Sequence, residues 1–259
     1  MRQRTLMEEL LVPGAIRVEF QPIFTVTGDG NGNGYRLYAL EALARGPRGT
    51  SMEPPNVLFE YARRKGEEVR LDLIAIAQAL AAAATLPGAP HITINVHGST
   101  LSHEPDFAAK FLVAAEAYGI APSRLMFEIV EHRAPWGLEA LQATLHALRE
   151  AGVRIALDDL GVGASNYHLF VDCRPDHLKI DRYIVKGCAN DRYRIAVLRS
   201  IVELADACGA TPIAEGIEYH EDLATVVGLG IRHVQGWMFS HSLPPAEIAA
   251  SRFLNEQKD

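Results

Sequence analysis

Eight short apolar runs alternate with longer segments of helical period, and that alternation leaves the chain few architectures. The runs occupy residues 18–24, 37–43, 92–96, 125–130, 153–157, 177–180, 211–214 and 233–237, each bounded by turn residues or charge. Helical patterns fall at 55–65, 67–85, 106–118, 138–151, 191–208, 221–229 and 245–254. Parallel strands need crossover helices, so this order over 259 residues predicts an α/β protein, a (β/α)8 TIM-like barrel forming a single domain over residues 1–259. One junction breaks the rule. Gly28-Asp29-Gly30-Asn31-Gly32-Asn33-Gly34 suits positive φ and is too short for a crossover, so the first strand is expected to run antiparallel to the second. Asp29, Asn31, Asn33 and Gly34 also reproduce half of a calcium-loop pattern. The closing glutamate belongs at position 40, which is Leu40, and a plain hairpin turn is the expectation.

Charge narrows the partners. Lys plus Arg is 25 and Asp plus Glu is 32, a net charge of −7, so no global field draws DNA, RNA or an anionic membrane. Cys173, Cys188 and Cys208 form no C-x-x-C pair, which argues against a disulfide framework or a thiolate zinc site. Glu8 and Glu9 interrupt any early export signal, and the most apolar segment, 73–86, ends at Pro87-Gly88, too short to span a bilayer. A cytoplasmic protein without a membrane segment is expected.

Polar residues interrupt the strand ends. Glu41, Asn95, Glu128, Asp158 with Asp159, Lys179, Glu215 and Gln235 each lie near the carboxyl end of an apolar run. In a barrel these ends converge on one face, where catalytic residues collect. Buried carboxylates need cations or donors, and oxygen ligands favour hard cations such as Mg²⁺ or Mn²⁺. Adjacent Asp158-Asp159 suggests two metals, one carboxylate bridging and its neighbour serving the second, an arrangement suited to phosphate-ester hydrolysis.

Those residues lie within Glu41-Ala42-Leu43-Ala44-Arg45, Phe127-Glu128-Ile129-Val130-Glu131, Ala156-Leu157-Asp158-Asp159-Leu160-Gly161, Leu178-Lys179-Ile180-Asp181, Ala214-Glu215-Gly216-Ile217-Glu218 and Gln235-Gly236. With Gln21-Pro22-Ile23 and Asn95-Val96-His97, their order and spacing resemble the EAL-domain cyclic di-GMP phosphodiesterases over about residues 19–243. The resemblance implies a barrel with an antiparallel first strand and cleavage of cyclic di-GMP to linear pGpG with two divalent cations, Mg²⁺ or Mn²⁺. It assigns metal ligation to Glu41, Asn95, Glu128, Asp158, Asp159 and Glu215, with Asp158 bridging. Lys179, which holds or deprotonates the attacking water, counts as catalytic together with Glu215 and Asp159. Arg45 is assigned to a substrate phosphate, with Gln21 and Leu43 also binding substrate. Glu131, Asp181, Glu218 and Gln235 support the ligands or anchor the loop, and a homodimer is implied.

The sequence departs from the family after Asp158-Asp159, where the usual Phe-Gly-Thr-Gly-Tyr-Ser-Ser reads Leu160-Gly161-Val162-Gly163-Ala164-Ser165-Asn166, and Val130 replaces a threonine. The lost aromatic pair and hydroxyl remove anchors from that loop. This supports an alternative, a non-catalytic cyclic di-GMP receptor or a protein-interaction module. The histidines lack helical ligand spacing and are expected in surface or packing roles, with His97 sharing the mouth with Asn95 by strand alternation. Trp237 and Phe239 either line a purine pocket or pack in the core.

Overall fold

A computed structural model describes residues 5–12, 14–28, 34–130, 137–160 and 167–255. Eight strands close a barrel in sequence order: β1 (Arg17–Val26), β2 (Tyr35–Arg45), β3 (His91–His97), β4 (Leu125–Val130), β5 (Arg154–Leu160), β6 (His177–Ile180), β7 (Thr211–Ala214) and β8 (His233–Val234). All neighbours pair in parallel except β1, which is antiparallel to both β2 and β8. The antiparallel first strand read from the short glycine- and asparagine-rich junction is therefore present; residues 29–33 of that junction lie outside the described residues.

The helices follow the expected order: α1 (Leu6–Leu10), α2 (Pro55–Arg64), α3 (Glu68–Ala83), α4 (Gly98–His103), α5 (Phe107–Ala117), α6 (Leu138–Glu150), α7 (Tyr167–Cys173), α8 (Arg182–Val185), α9 (Arg192–Cys208), α10 (His220–Gly228), α11 (Pro245–Ala250) and α12 (Arg252–Asn255). Seven-residue α7 covers the β5–β6 crossover; it and α1, α4 and α8 are too short to leave a periodic signal. The helix expected at 245–254 is broken by the extended conformation of Ser251. Residues expected to prolong β8 to 237 leave the sheet after Val234. Gly236 lies so close to Ile217 that a Cβ there would overlap its backbone oxygen, and Met238 N–H bonds that same oxygen.

The main core lies between strands and helices. Phe107 and Phe111 of α5 pack on Phe127 of β4, with centroids 5.6 and 4.5 Å away. A satellite core of Met7, Leu10, Ile16, Leu58, Leu71 and Ala75 seats α1 against α2 and α3. Inside the barrel a thin apolar layer of Ile23, Ala39 and Ile213 separates two polar ends.

Candidate active site

Parallel register brings the strand-end residues together. Asn95 is opposite Glu128, and Lys179 opposite Ile213, so strand alternation turns both polar side chains to the lumen. The β5 ladder slips between Leu157 and Leu160, which makes Asp158 and Asp159 a bulge, and Asp159 takes φ +54. That left-handed conformation is costly for a residue with a Cβ and persists because the surrounding structure imposes it. The two aspartates therefore share a face that strict alternation would have divided.

Lys179 is 1% exposed and stands at the centre. Its Nζ lies 2.5 Å from Glu215, 2.6 Å from Glu128 and 3.4 Å from both Glu41 and Asp158. Asn95 donates to Glu41 Oε1 at 3.0 Å, and Gln235 donates to Glu41 Oε2 at 2.7 Å and to Gln21 Oε1 at 3.1 Å. One ammonium cannot balance four carboxylates, two of them buried and two half-buried. Burial raises the Glu41 carboxyl, but Lys179 and the donors from Asn95 and Gln235 outweigh it and hold it below the ordinary range. Burial, then the charge of Glu41, pushes Glu128 well up. Burial leads the rise of Asp158, of Glu215 to about 8 and of Asp159 to about 6. Lys179 itself is lowered by burial, yet the carboxylates prevail and keep it well above the usual lysine value.

These residues fit divalent cations. The donor set is oxygen, ligand atoms of Asp158, Asp159 and Glu215 lie within 4.8 Å of one another, and Glu128 Oε1 is buried without a hydrogen-bond partner. A cleft of about 260 Å³ over the cluster is lined by Gln21, Leu43, Arg182 and Trp237. A more apolar pocket of about 230 Å³ sits beside it, walled by Phe59, Ala79, Ile94 and His97.

The remaining sequence-derived residues divide. Arg45 lies at the end of β2, held by Glu19 at 2.9 Å and Ser242 at 2.9 Å. Asp181 caps α8 through Tyr183 N–H and bonds Asp159. Glu218 pairs with Lys186 at 2.6 Å, at the edge of the cleft. Glu131 and residues 161–166 lie outside the described residues. His97 and Asn95 both line the apolar pocket beside the cleft, and His97 Nδ1 bonds buried Asp72 of α3 at 2.9 Å. Trp237 is exposed on the cleft, whereas Phe239 packs on Phe24 and Tyr35. Sequence reasoning missed Asp72, an acid on the buried face of α3, and Arg182 at the cleft. Their signals were an acid among the apolar positions of α3 and a position just beyond Lys179-Ile180-Asp181.

Residues 4–242 match the family model described as EAL domain, and the chain belongs to that family. It is 27% identical over 237 residues to the probable cyclic di-GMP phosphodiesterase PdeA of Escherichia coli, covering 90% of this chain and 31% of the relative. It is 25% identical over 206 residues to the blue light- and temperature-regulated antirepressor BluF of E. coli, covering 79% of this chain and 50% of that protein. Among solved structures, BlrP1 of Klebsiella pneumoniae in its manganese and cyclic di-GMP complex at pH 6 aligns with TM-score 0.77 and 29% identity, over 90% of this chain and 57% of that one. Its calcium complex gives TM-score 0.77 and 28% identity, over 95% and 59%. The chain thus spans well under two thirds of these relatives. Among the described residues, no helix is long and apolar enough to cross a membrane.

Proposed function

We propose that this chain hydrolyses cyclic di-GMP to linear pGpG. The observation that carries the reading is the cluster of Glu41, Glu128, Asp158 and Glu215 around Lys179, with Asp159 beside it: more carboxylate than one ammonium balances. Glu41, Asn95, Glu128, Asp158, Asp159 and Glu215 would hold two divalent cations, Mg²⁺ or Mn²⁺. When bound, such cations supply Lewis acidity that lowers the pKa of water and offsets the charge of a phosphodiester. Lys179 Nζ donates hydrogen bonds from the centre of the cluster and orients the attacking water. Gln235 steadies Glu41 and Gln21 from below the cleft. Arg45, braced by Glu19 and Ser242, presents a guanidinium to a substrate phosphate, with Gln21 and Leu43 against the rest of the nucleotide. Once cations are bound, their charge and that of Arg45 would together favour a dianionic ligand despite the net charge of −7. A homodimer is part of this reading, and exposed Tyr183, Tyr193 and Val197 on α8 and α9 offer an apolar face for it.

The second reading is a cyclic di-GMP receptor that does not cleave, favoured by the loss of aromatic and hydroxyl anchors at 160–166. Incubation with cyclic di-GMP and Mg²⁺ or Mn²⁺, followed by chromatography, separates them. Hydrolysis requires pGpG to accumulate and to vanish in Asp159→Ala and Lys179→Ala. Bound but intact nucleotide hands the lead to the receptor.

A further inference from the structure

The opposite end of the lumen holds a second polar cluster that the mouth does not use. Tyr38 is aimed into it by a bulge: Ile23 pairs with Ala39 but Phe24 with Leu37, which leaves Tyr38 as the extra residue. Arg154 donates to the Tyr38 oxygen at 2.9 Å and to His91 Nδ1 at 2.7 Å. The Tyr38 hydroxyl lies 2.5 Å from His177 Nε2, Thr25 lies 3.1 Å from His233 Nδ1, and the His233 ring centroid is 4.0 Å from that of Tyr38.

The hydrogens can be assigned. A guanidinium only donates, so Tyr38 accepts from Arg154, and the remaining Tyr38 hydrogen is assigned to the bond with His177 Nε2. His177 is therefore neutral with its hydrogen on Nδ1, a buried atom without a partner. Burial first, then Arg154, pushes His177 down to about 3 and His233 to about 4, and lowers His91. Arg36 and Arg124 add positive charge from β2 and from the turn before β4, and the Asp176 carboxylate before β6 accepts Ile155 N–H at 2.8 Å.

Each member shares a strand with a residue of the mouth. Tyr38 precedes Glu41 on β2, His91 precedes Asn95 on β3, Arg154 precedes Asp158 on β5, and His177 precedes Lys179 on β6. Ladder bonds join only adjacent strands, whereas Tyr38 joins β2 to β5 and β6 across the lumen. We propose that the Arg154–Tyr38–His177 chain is a positioning device: it ties β2, β5 and β6 at the base and so sets the spacing of Glu41, Asp158 and Lys179 at the mouth. This rests on reading the mouth as a metal-dependent phosphodiesterase site.

The test uses the whole chain with Tyr38→Phe, His177→Leu and His177→Gln, and reads the Kd for Mn²⁺ alone beside kcat and KM for cyclic di-GMP. Tyr38→Phe and His177→Leu are expected to weaken Mn²⁺ binding and to lower kcat, each by about tenfold, with KM within about twofold. His177→Gln restores most of both, because its amide oxygen accepts the Tyr38 hydrogen. If the wild type cleaves nothing while Tyr38→Phe and His177→Leu still weaken Mn²⁺, the positioning device stands and the phosphodiesterase reading falls. Unchanged Mn²⁺ affinity in Tyr38→Phe and His177→Leu overturns the device, as does a His177 imidazole that nitrogen NMR finds protonated on Nε2 at pH 7.

Discussion

The lumen holds a cation near each end, buried Lys179 and half-buried Arg154, and the two ends handle it in opposite ways. Lys179 at the mouth faces four carboxylates, while Arg154 at the base donates to a phenol and an imidazole, both neutral. At the mouth, burial and mutual repulsion push Glu128, Asp158 and Glu215 up, the mark of too little positive charge. At the base, burial and then the positive charge of Arg154 push His177 and His233 down and keep both neutral near pH 7. In the proposed reading the mouth receives cations and the base holds strands.

The comparison breaks most visibly at Lys179. Lys179→Met is expected to cost about 3–5 kcal/mol of stability in EDTA, since it leaves buried carboxylates without a partner, and to lower turnover by about 10²–10⁴. Urea unfolding in EDTA with stability within about 1 kcal/mol of wild type would falsify the charge-deficit account. Glu128→Gln sharpens the same point from the other side. Its carboxyl already sits well above the ordinary range, so stability in EDTA should change by less than about 1 kcal/mol, while Mn²⁺ affinity measured by calorimetry drops by at least about tenfold.

Acid should separate the ends. His177 titrates near 6.5 when unfolded and about 3 when folded, so its contribution is present above pH 6.5 and is lost as pH falls toward about 3. Glu215, with a folded value of about 8, works the other way: its carboxyl favours the folded chain at low pH and loses that contribution as pH rises through about 8. Between pH 7 and pH 5 the base therefore loses roughly 2 kcal/mol through His177, and His177→Leu should flatten the pH dependence of unfolding by that amount. An unchanged slope would remove His177 from the account. Thr25→Val, which deletes one hydrogen bond to His233, should cost only about 0.5–1.5 kcal/mol by the same urea assay.

What the sequence revealed follows the range of the forces involved. Strand alternation and turn chemistry are local, so the eight strands and the reversed β1 were readable, and so were the acids at the strand ends. The mouth was legible because parallel strands of one barrel must bring their carboxyl ends together. The base was not. Alternation alone turns Tyr38 outward, and only the bulge brings it in; His177 and His233 look like packing residues until strand starts far apart in the chain meet. Arg45 was legible as a cation, but its brace was not, because Ser242 lies 197 residues away.

The most direct measurement is calorimetric titration of the metal-free chain with Mn²⁺ near pH 7, repeated in buffers of different ionisation enthalpy to count protons. The charge deficit at the mouth requires about two ions per chain, bound with release of protons from the raised carboxyls, and loss of both signals in Asp158→Asn. A chain that takes up no Mn²⁺, or that binds it without releasing protons and equally well after Asp158→Asn, would contradict the assignment of the mouth as a divalent-cation site.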